Sequence, residues 1–251
     1  FVGRERELGS LVDAFERARA GHGQVAFLVG EAGIGKSRLL LELRRRIADG
    51  AAWQEGHCLS FGKAMAFHPL VDLLQRQFGV EEGDGEAAIA AKIERGVTAV
   101  GAPLGPVAPY LRALLSIDPG DADVRAMSPA QRRGETFEAL RRLMVHAADQ
   151  RPQVLVIEDL HWIDGASEEF LKTLVDSVPA LRALLIFTYR PGYTSAFGER
   201  SYFTRIVEKA GGDPVKFGRF LGQLFAAMAK GGEFGLESIR HFNGNLFDDA
   251  W

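Results

Sequence analysis

Gly30-Glu31-Ala32-Gly33-Ile34-Gly35-Lys36-Ser37 is the stretch on which the reading of this 251-residue chain turns. It matches the pattern G-x-x-x-x-G-K-[ST]. Glycines let the backbone curl so that several N–H groups converge on one point, and a helix starting at Lys36 adds the positive end of its dipole. A polyphosphate fits such a curl. Lys36 is then expected to reach the β and γ phosphates and Ser37 to offer its hydroxyl to Mg²⁺. The candidate nucleotide-binding residues are thus Gly30, Glu31, Ala32, Gly33, Ile34, Gly35, Lys36, Ser37 and the adjoining Arg38. The plainer alternative is a glycine turn whose Lys36 and Ser37 merely open a helix.

The flanks agree with a βα unit. Residues 24–29 are apolar and of strand length. Before them, Leu8, Leu11, Val12, Phe15 and Ala18 fall at helical spacing over residues 4–20, and Gly21-His22-Gly23 stops that helix. After the turn, Leu39, Leu40 and Leu43 share one face of a helix over 36–49, and a strand is expected over 51–57. Strand, turn, helix, strand points to a parallel sheet.

Residues 67–150 read as mostly helical. Leu70, Leu73, Leu74 and Phe78 share a face, and Ser128-Pro129-Ala130-Gln131 is a helix start with a Ser cap, Pro at the first position and Gln at the third. That helix is expected to carry Phe137, Leu140, Leu143 and Met144 inward, with loops over 101–109 and 118–123. A helix over 167–177 and a strand over 184–189 follow. Further on, Asp213-Pro214 opens a helix with Phe217, Phe220, Leu221, Leu224, Phe225 and Met228 on one side.

Val154-Leu155-Val156-Ile157-Glu158-Asp159 reads as a strand buried on both faces that ends in two acids. Ligands of open α/β sheets bind at that end of the strands. One acid is expected to hold Mg²⁺ through water and the other to orient or activate the attacking water. The candidate metal residues are therefore Ser37, Glu158 and Asp159. Arg190 ends the next apolar run and is placed to sense or stabilise γ-phosphate charge. Lys36, Glu158, Asp159 and Arg190 form the candidate catalytic set. The alternatives are a solvated acidic turn for the two acids and a surface salt bridge for Arg190.

Composition excludes several classes. Hydrophobic residues make up 47% and charged residues 25%, the proportions of a globular chain. Lys plus Arg is 30 against 33 for Asp plus Glu, a net charge of -3, which argues against a basic, whole-surface nucleic-acid binder. Arg44-Arg45-Arg46, Arg132-Arg133 and Arg141-Arg142 accordingly read as solvated helix faces. The single cysteine, Cys58, excludes a disulfide framework and suits a reducing, cytoplasmic setting. With His57 it reads as a buried thiol beside an imidazole rather than as a metal site. His161 and Trp162 are read either as nucleotide contacts or as packing at the sheet edge. No apolar run has the length of a membrane span, so no membrane partner is expected. The chain starts at Phe1, and a preceding segment is expected.

Together these residues resemble a known family. Phe1-Val2-Gly3-Arg4-Glu5, the glycine-rich loop, Glu158-Asp159-Leu160-His161-Trp162-Ile163-Asp164 and Thr188-Tyr189-Arg190-Pro191 occur in the order seen in the AAA-like ATPase domain of STAND-class signalling proteins. That domain is found in large LuxR-type transcription regulators and beside nucleotide-cyclase domains. The resemblance spans 1–206 and implies an α/β P-loop NTPase fold, a parallel sheet of order 5-1-4-3-2 flanked by helices. A helical insertion and a small helical C-terminal tail complete the expected fold. It also implies an ATP/ADP switch with Mg²⁺, slow hydrolysis at most, nucleotide-dependent self-association, and a missing effector domain, DNA-binding or cyclase, in transcription regulation.

Carried over by motif, Gly3 and Arg4 line the adenine side, Lys36 and Ser37 are the Walker A pair, Glu158 and Asp159 the Walker B pair, and Arg190 the sensor. The family often has Asp where this chain has Glu158, which leaves open which acid holds the metal.

Beyond 206 the resemblance changes. Gly211-Gly212-Asp213-Pro214, Gly231-Gly232-Glu233-Phe234-Gly235 and Phe242-Asn243-Gly244-Asn245-Leu246-Phe247-Asp248-Asp249 are similar to a spacer segment of large restriction–modification DNA methyltransferases. No Asn-Pro-Pro-Tyr or Asp-Pro-Pro-Tyr motif accompanies them, so methyl transfer is not assigned. The expected division is 1–206 as ATPase domain and 207–251 as helical tail, either a fused methyltransferase fragment or a divergent lid. The alternative function is a non-catalytic piece of a restriction–modification protein with a vestigial P-loop.

Overall fold

Three apolar runs form the centre of the molecule. β1 (Gln24–Val29) and β4 (Ala183–Tyr189) are buried at every residue, and β3 (Gln153–Glu158) at all but Glu158. Such strands need cover on both faces, because apolar side chains dominate both, and the few polar ones, Gln24, Gln153 and Thr188, are buried with them. β2 (Ala52–His57) and β5 (Phe203–Val207) take the edges. The order is β5-β1-β4-β3-β2 and every pairing is parallel, as the resemblance implies. The coordinates are a computed structural model that describes residues 3–62 and 65–207. The expected helix near Asp213 and the expected division at 207 lie outside the described residues.

β5 has no counterpart in the residue pattern. It is short, carries Arg205 at its centre, and sits on the edge, where one side chain in two need not be apolar. The Arg205 guanidinium donates to the Tyr189 hydroxyl across the sheet at 3.1 Å.

The period-2 alternation of the strands builds two separate cores. On one face Ala26, Leu28, Val154, Val156, Leu184 and Ile186 pack against two helices, α1 (Glu5–Arg19) and α2 (Lys36–Ile47). On the other, Val25, Phe27, Leu155, Ile157, Leu185 and Phe187 meet the helices that lie between β2 and β4. These are α3 (His68–Phe78), α4 (Glu86–Val100), α5 (Ala108–Leu114), α6 (Ala122–Ala126), α7 (Pro129–Gln150) and α8 (Gly165–Ser177). The first five form the helical insertion. α7 begins with the expected reciprocal cap: Ser128 accepts from the Gln131 amide, and the Gln131 side chain accepts from the Ser128 amide. Leu140, Leu143 and Met144 are buried on it, and Phe137 is half-buried between the rings of Phe67 and Phe170.

Two expected loops are more ordered than the residues suggest. Residues Ala102–Val107 form a 3₁₀ turn that runs into α5, and α6 begins at Ala122. Proline is tolerated in a first helical turn, where its missing N–H has no partner to lose, and Pro109 occupies that place in α5. Asp121 caps α6 by accepting from the Asp123 and Val124 amides. Among the described residues no helix is long and apolar enough to cross a membrane.

Candidate functional site

The glycine-rich loop leaves β1 at Val29 and is tied at once to β4, since the Gly30 amide donates to the Tyr189 carbonyl at 3.1 Å. Gly33 and Gly35 have φ of +78° and +95°, a backbone region that a side chain disfavours. Lys36 opens α2 and is only 9% exposed. A buried ammonium must be hydrogen-bonded. Its Nζ donates to the carbonyls of Gly30 and Glu31 at 2.8 and 2.9 Å, so the positive charge lies directly over the loop. Arg4, the residue before α1, donates to the Ile34 carbonyl, and its guanidinium lies 3.6 Å from where a Cβ on Gly35 would be. The N-terminal segment and the loop are thereby joined. Gly3 is exposed next to it, its amide bonded to the Glu5 carboxylate. Arg38 pairs along its own helix with Glu42 at 2.8 Å.

The acids arrive from the sheet's centre. β3 runs parallel to β4, which runs parallel to β1, with Ile157 beside Phe187 and Val29 beside Tyr189. All three strands therefore end on one edge. The Ser37 hydroxyl donates to Glu158 Oε2 at 2.9 Å, across 121 positions of chain. Asp159 turns the chain away from β3 through a left-handed backbone, φ +55° and ψ +43°, with its amide donating to Thr188 Oγ1 at 3.0 Å. The Asp159 side chain is 48% exposed, that of Glu158 20%. His161 is largely buried, its Nδ1 3.9 Å from Asp159 Oδ1 and its ring 5.0 Å from that of Trp162. Trp162 packs, partly buried, against the core on the insertion side of the sheet.

Arg190 follows β4 and is exposed. Its side chain forms no hydrogen bond or ion pair with the described residues, so a surface salt bridge finds no partner there. The main-chain bond from Gly30 to Tyr189 sets Arg190 next to the mouth of the loop.

Beside the acids lie His57 and Cys58, which the sequence reading named without a role at the site, Asp72, which it did not name, and Asp164, which it quoted only within a motif. His57 ends β2 in register with Glu158. Its Nδ1 is 3.0 Å from Asp72 Oδ2 and its Nε2 is 3.7 Å from Glu158 Oε1. Burial by itself would raise the Asp72 carboxyl, but the bonds to Arg76 and His57 outweigh it and hold the group below the usual carboxylate range. Cys58 is buried, as expected. Burial, with Asp164 and Asp159 adding to it, pushes its thiol up to about 12, so it is neutral and unreactive. Asp164 is 3% exposed, and its Oδ1 accepts from Ala166, Ser167 and Phe67. It caps α8 and clasps the start of α3 with one oxygen. Its place six residues past Glu158, before a helix, was the available signal.

The oxygen donors of Ser37, Glu158 and Asp159 suit a hard cation such as Mg²⁺, which keeps several waters and takes further oxygens from phosphate. Ser37 and Glu158 are close enough to serve one hydrated ion. Among the described residues no group of three or more His, Cys, Asp and Glu side chains makes a metal cage.

Comparison with known proteins adds the following. Residues 1–187 match the family described as AAA ATPase domain. An uncharacterised protein of Rhizobium meliloti (strain 1021) is 32% identical over 210 residues, covering 82% of this chain and 20% of that protein. The chain thus spans about a fifth of that relative's length. Among solved structures, Cdc6p from Pyrobaculum aerophilum is 18% identical with a TM-score of 0.40, over 81% of this chain and 45% of that one. A STAND protein with a tetratricopeptide repeat sensor from Pyrococcus horikoshii is 14% identical with a TM-score of 0.41, over 98% and 28%. Drosophila ORC bound to DNA is 12% identical with a TM-score of 0.43, over 90% and 47%.

Proposed function

The chain belongs to the AAA ATPase domain family, and from this we infer that it is an ATP-operated regulatory module. It binds ATP with Mg²⁺ between the glycine-rich loop and the ends of β3 and β4, and hydrolyses it slowly. The observation that carries this reading is the 2.9 Å contact between Ser37 and Glu158 at a loop already covered by the Lys36 ammonium.

The main-chain amides of 30–35 receive the β and γ phosphates. Lys36 exchanges the carbonyls of Gly30 and Glu31 for phosphate oxygens, a strong charge-assisted pair in place of a weaker one. Ser37 and Glu158, already in contact at 2.9 Å, would hold Mg²⁺, which would supply positive charge against the phosphates, and this contact favours Glu158 as the metal-side acid. Asp159, more exposed and one residue on, orients the attacking water and accepts its proton. The water oxygen bonds to the γ-phosphorus as the bond to ADP breaks, giving ADP and phosphate. Arg190, without a partner among the described residues, spreads the charge that develops on the γ-phosphoryl oxygens. Gly3 and Arg4 serve the adenine side.

The same reading makes the module a signal-transduction element of the cytoplasm. It self-associates with nucleotide and passes its nucleotide state to an effector domain, DNA-binding or cyclase, in transcription regulation. Support for this part is the resemblance of 1–206 to STAND-class domains. Lys36→Ala tests the core of it. ATP binding measured by calorimetry is expected to be lost while the melting temperature without nucleotide stays close to that of the parent. An unchanged dissociation constant, together with duplex binding that falls steeply with salt, would favour a restriction–modification fragment with a vestigial loop instead.

A further inference from the structure

One carboxylate in the site is approached from two sides. Glu158 Oε2 accepts from Ser37 on α2, while Oε1 lies 3.7 Å from Nε2 of His57 on β2. The imidazole is not loose. Nδ1 is 3.0 Å from Asp72 Oδ2, and the same oxygen accepts the His57 main-chain amide at 3.2 Å. The other Asp72 oxygen accepts from Arg76 Nε at 2.8 Å. Both oxygens of Asp72 are thus occupied, which sets the plane of its carboxylate and with it the ring of His57. Asp72 and Arg76 both belong to α3, the first helix of the insertion.

The spacing matters. A separation of 3.7 Å is longer than a direct hydrogen bond. Nε2 therefore limits how the Glu158 carboxylate can swing without locking it, and leaves it able to turn toward a cation. Groups that hold a metal-side carboxylate in this way act on affinity through orientation, and their loss weakens metal binding by about 10- to 100-fold.

We propose that His57, itself oriented by Asp72 on the first helix of the insertion, is a positioning residue for Glu158 as the metal-side acid. The proposal rests on the function proposed above. A clasp that merely pins α3 to β2 is the competing explanation, and the two differ in what they predict for magnesium.

The experiment is calorimetric titration of the full chain with ATP, with and without Mg²⁺, for the parent, His57→Ala, His57→Gln, His57→Asn and Asp72→Asn. The expected result is a magnesium-free affinity that stays at the parent's value. The gain in affinity that Mg²⁺ brings should fall about 10-fold in His57→Ala and His57→Asn. His57→Gln should restore it, because its amide reaches the place of Nε2. Asp72→Asn should lower it in the same direction, and it decides between the two explanations if His57→Ala does not fold. A full magnesium gain in the His57 and Asp72 variants would overturn the positioning role alone. A parent chain that binds no ATP would overturn it together with the function it rests on.

Discussion

Asp159 occupies a left-handed backbone conformation at the point where β3 ends. Asp and Asn bear that conformation better than other side chains with a Cβ. The backbone turn and the proposed chemical role therefore ask for the same short polar residue, and Asp159→Asn separates them. It keeps the shape and the tolerance of the turn but cannot take a proton. Single-turnover hydrolysis is expected to fall by about 10²- to 10⁴-fold while ATP affinity is retained. Loss of binding instead would place Asp159 on the metal rather than on the water. The adjoining Glu158 shows why such roles are hard to read from a string of letters. Its contact with Ser37 spans 121 positions, and two neighbouring acids look alike until one of them is seen to hold a hydroxyl.

At the scale of elements, α7 shows how far local chemistry reaches. Ser128, Pro129 and Gln131 specify its first turn, and the structure builds the reciprocal cap from them. Ser128→Ala removes one acceptor from the exposed helix start and is expected to destabilise the protein by about 1 kcal/mol. A denaturant titration would show this as a lower midpoint with an unchanged slope. The segments over 101–109 and 118–123 show the opposite case. Proline, glycine and aspartate read as loop there, yet the chain makes a 3₁₀ turn and two short helices because Pro109 and Asp121 also serve as helix starters. The residue types alone do not separate these two uses. β5 escaped for a related reason, since an edge strand with a central arginine lacks the continuous apolar run that marks β1, β3 and β4.

The whole molecule brings the loop after β1, the acids after β3 and the arginine after β4 to one edge of the sheet, while its two cores lie on opposite faces. A ligand bound there touches several elements at once and stabilises only the folded form. At 100 times its dissociation constant, ATP–Mg²⁺ is expected to add about 2.7 kcal/mol and raise the melting temperature. A scan with no shift for the parent chain would argue against nucleotide binding. The glycine-rich curl, the helix dipole behind it, the apolar strands and the cap of α7 could be read residue by residue. Each is set by neighbours a few positions away, whereas the sheet order was only implied by the family resemblance. The meeting of Ser37 with Glu158, the station of His57 between Glu158 and Asp72, and the clasp from Asp164 to Phe67 came only with the folded chain. Those contacts depend on which strands lie side by side and in what register. The packing of all the helices on both faces settles that, and no short stretch of residues encodes it.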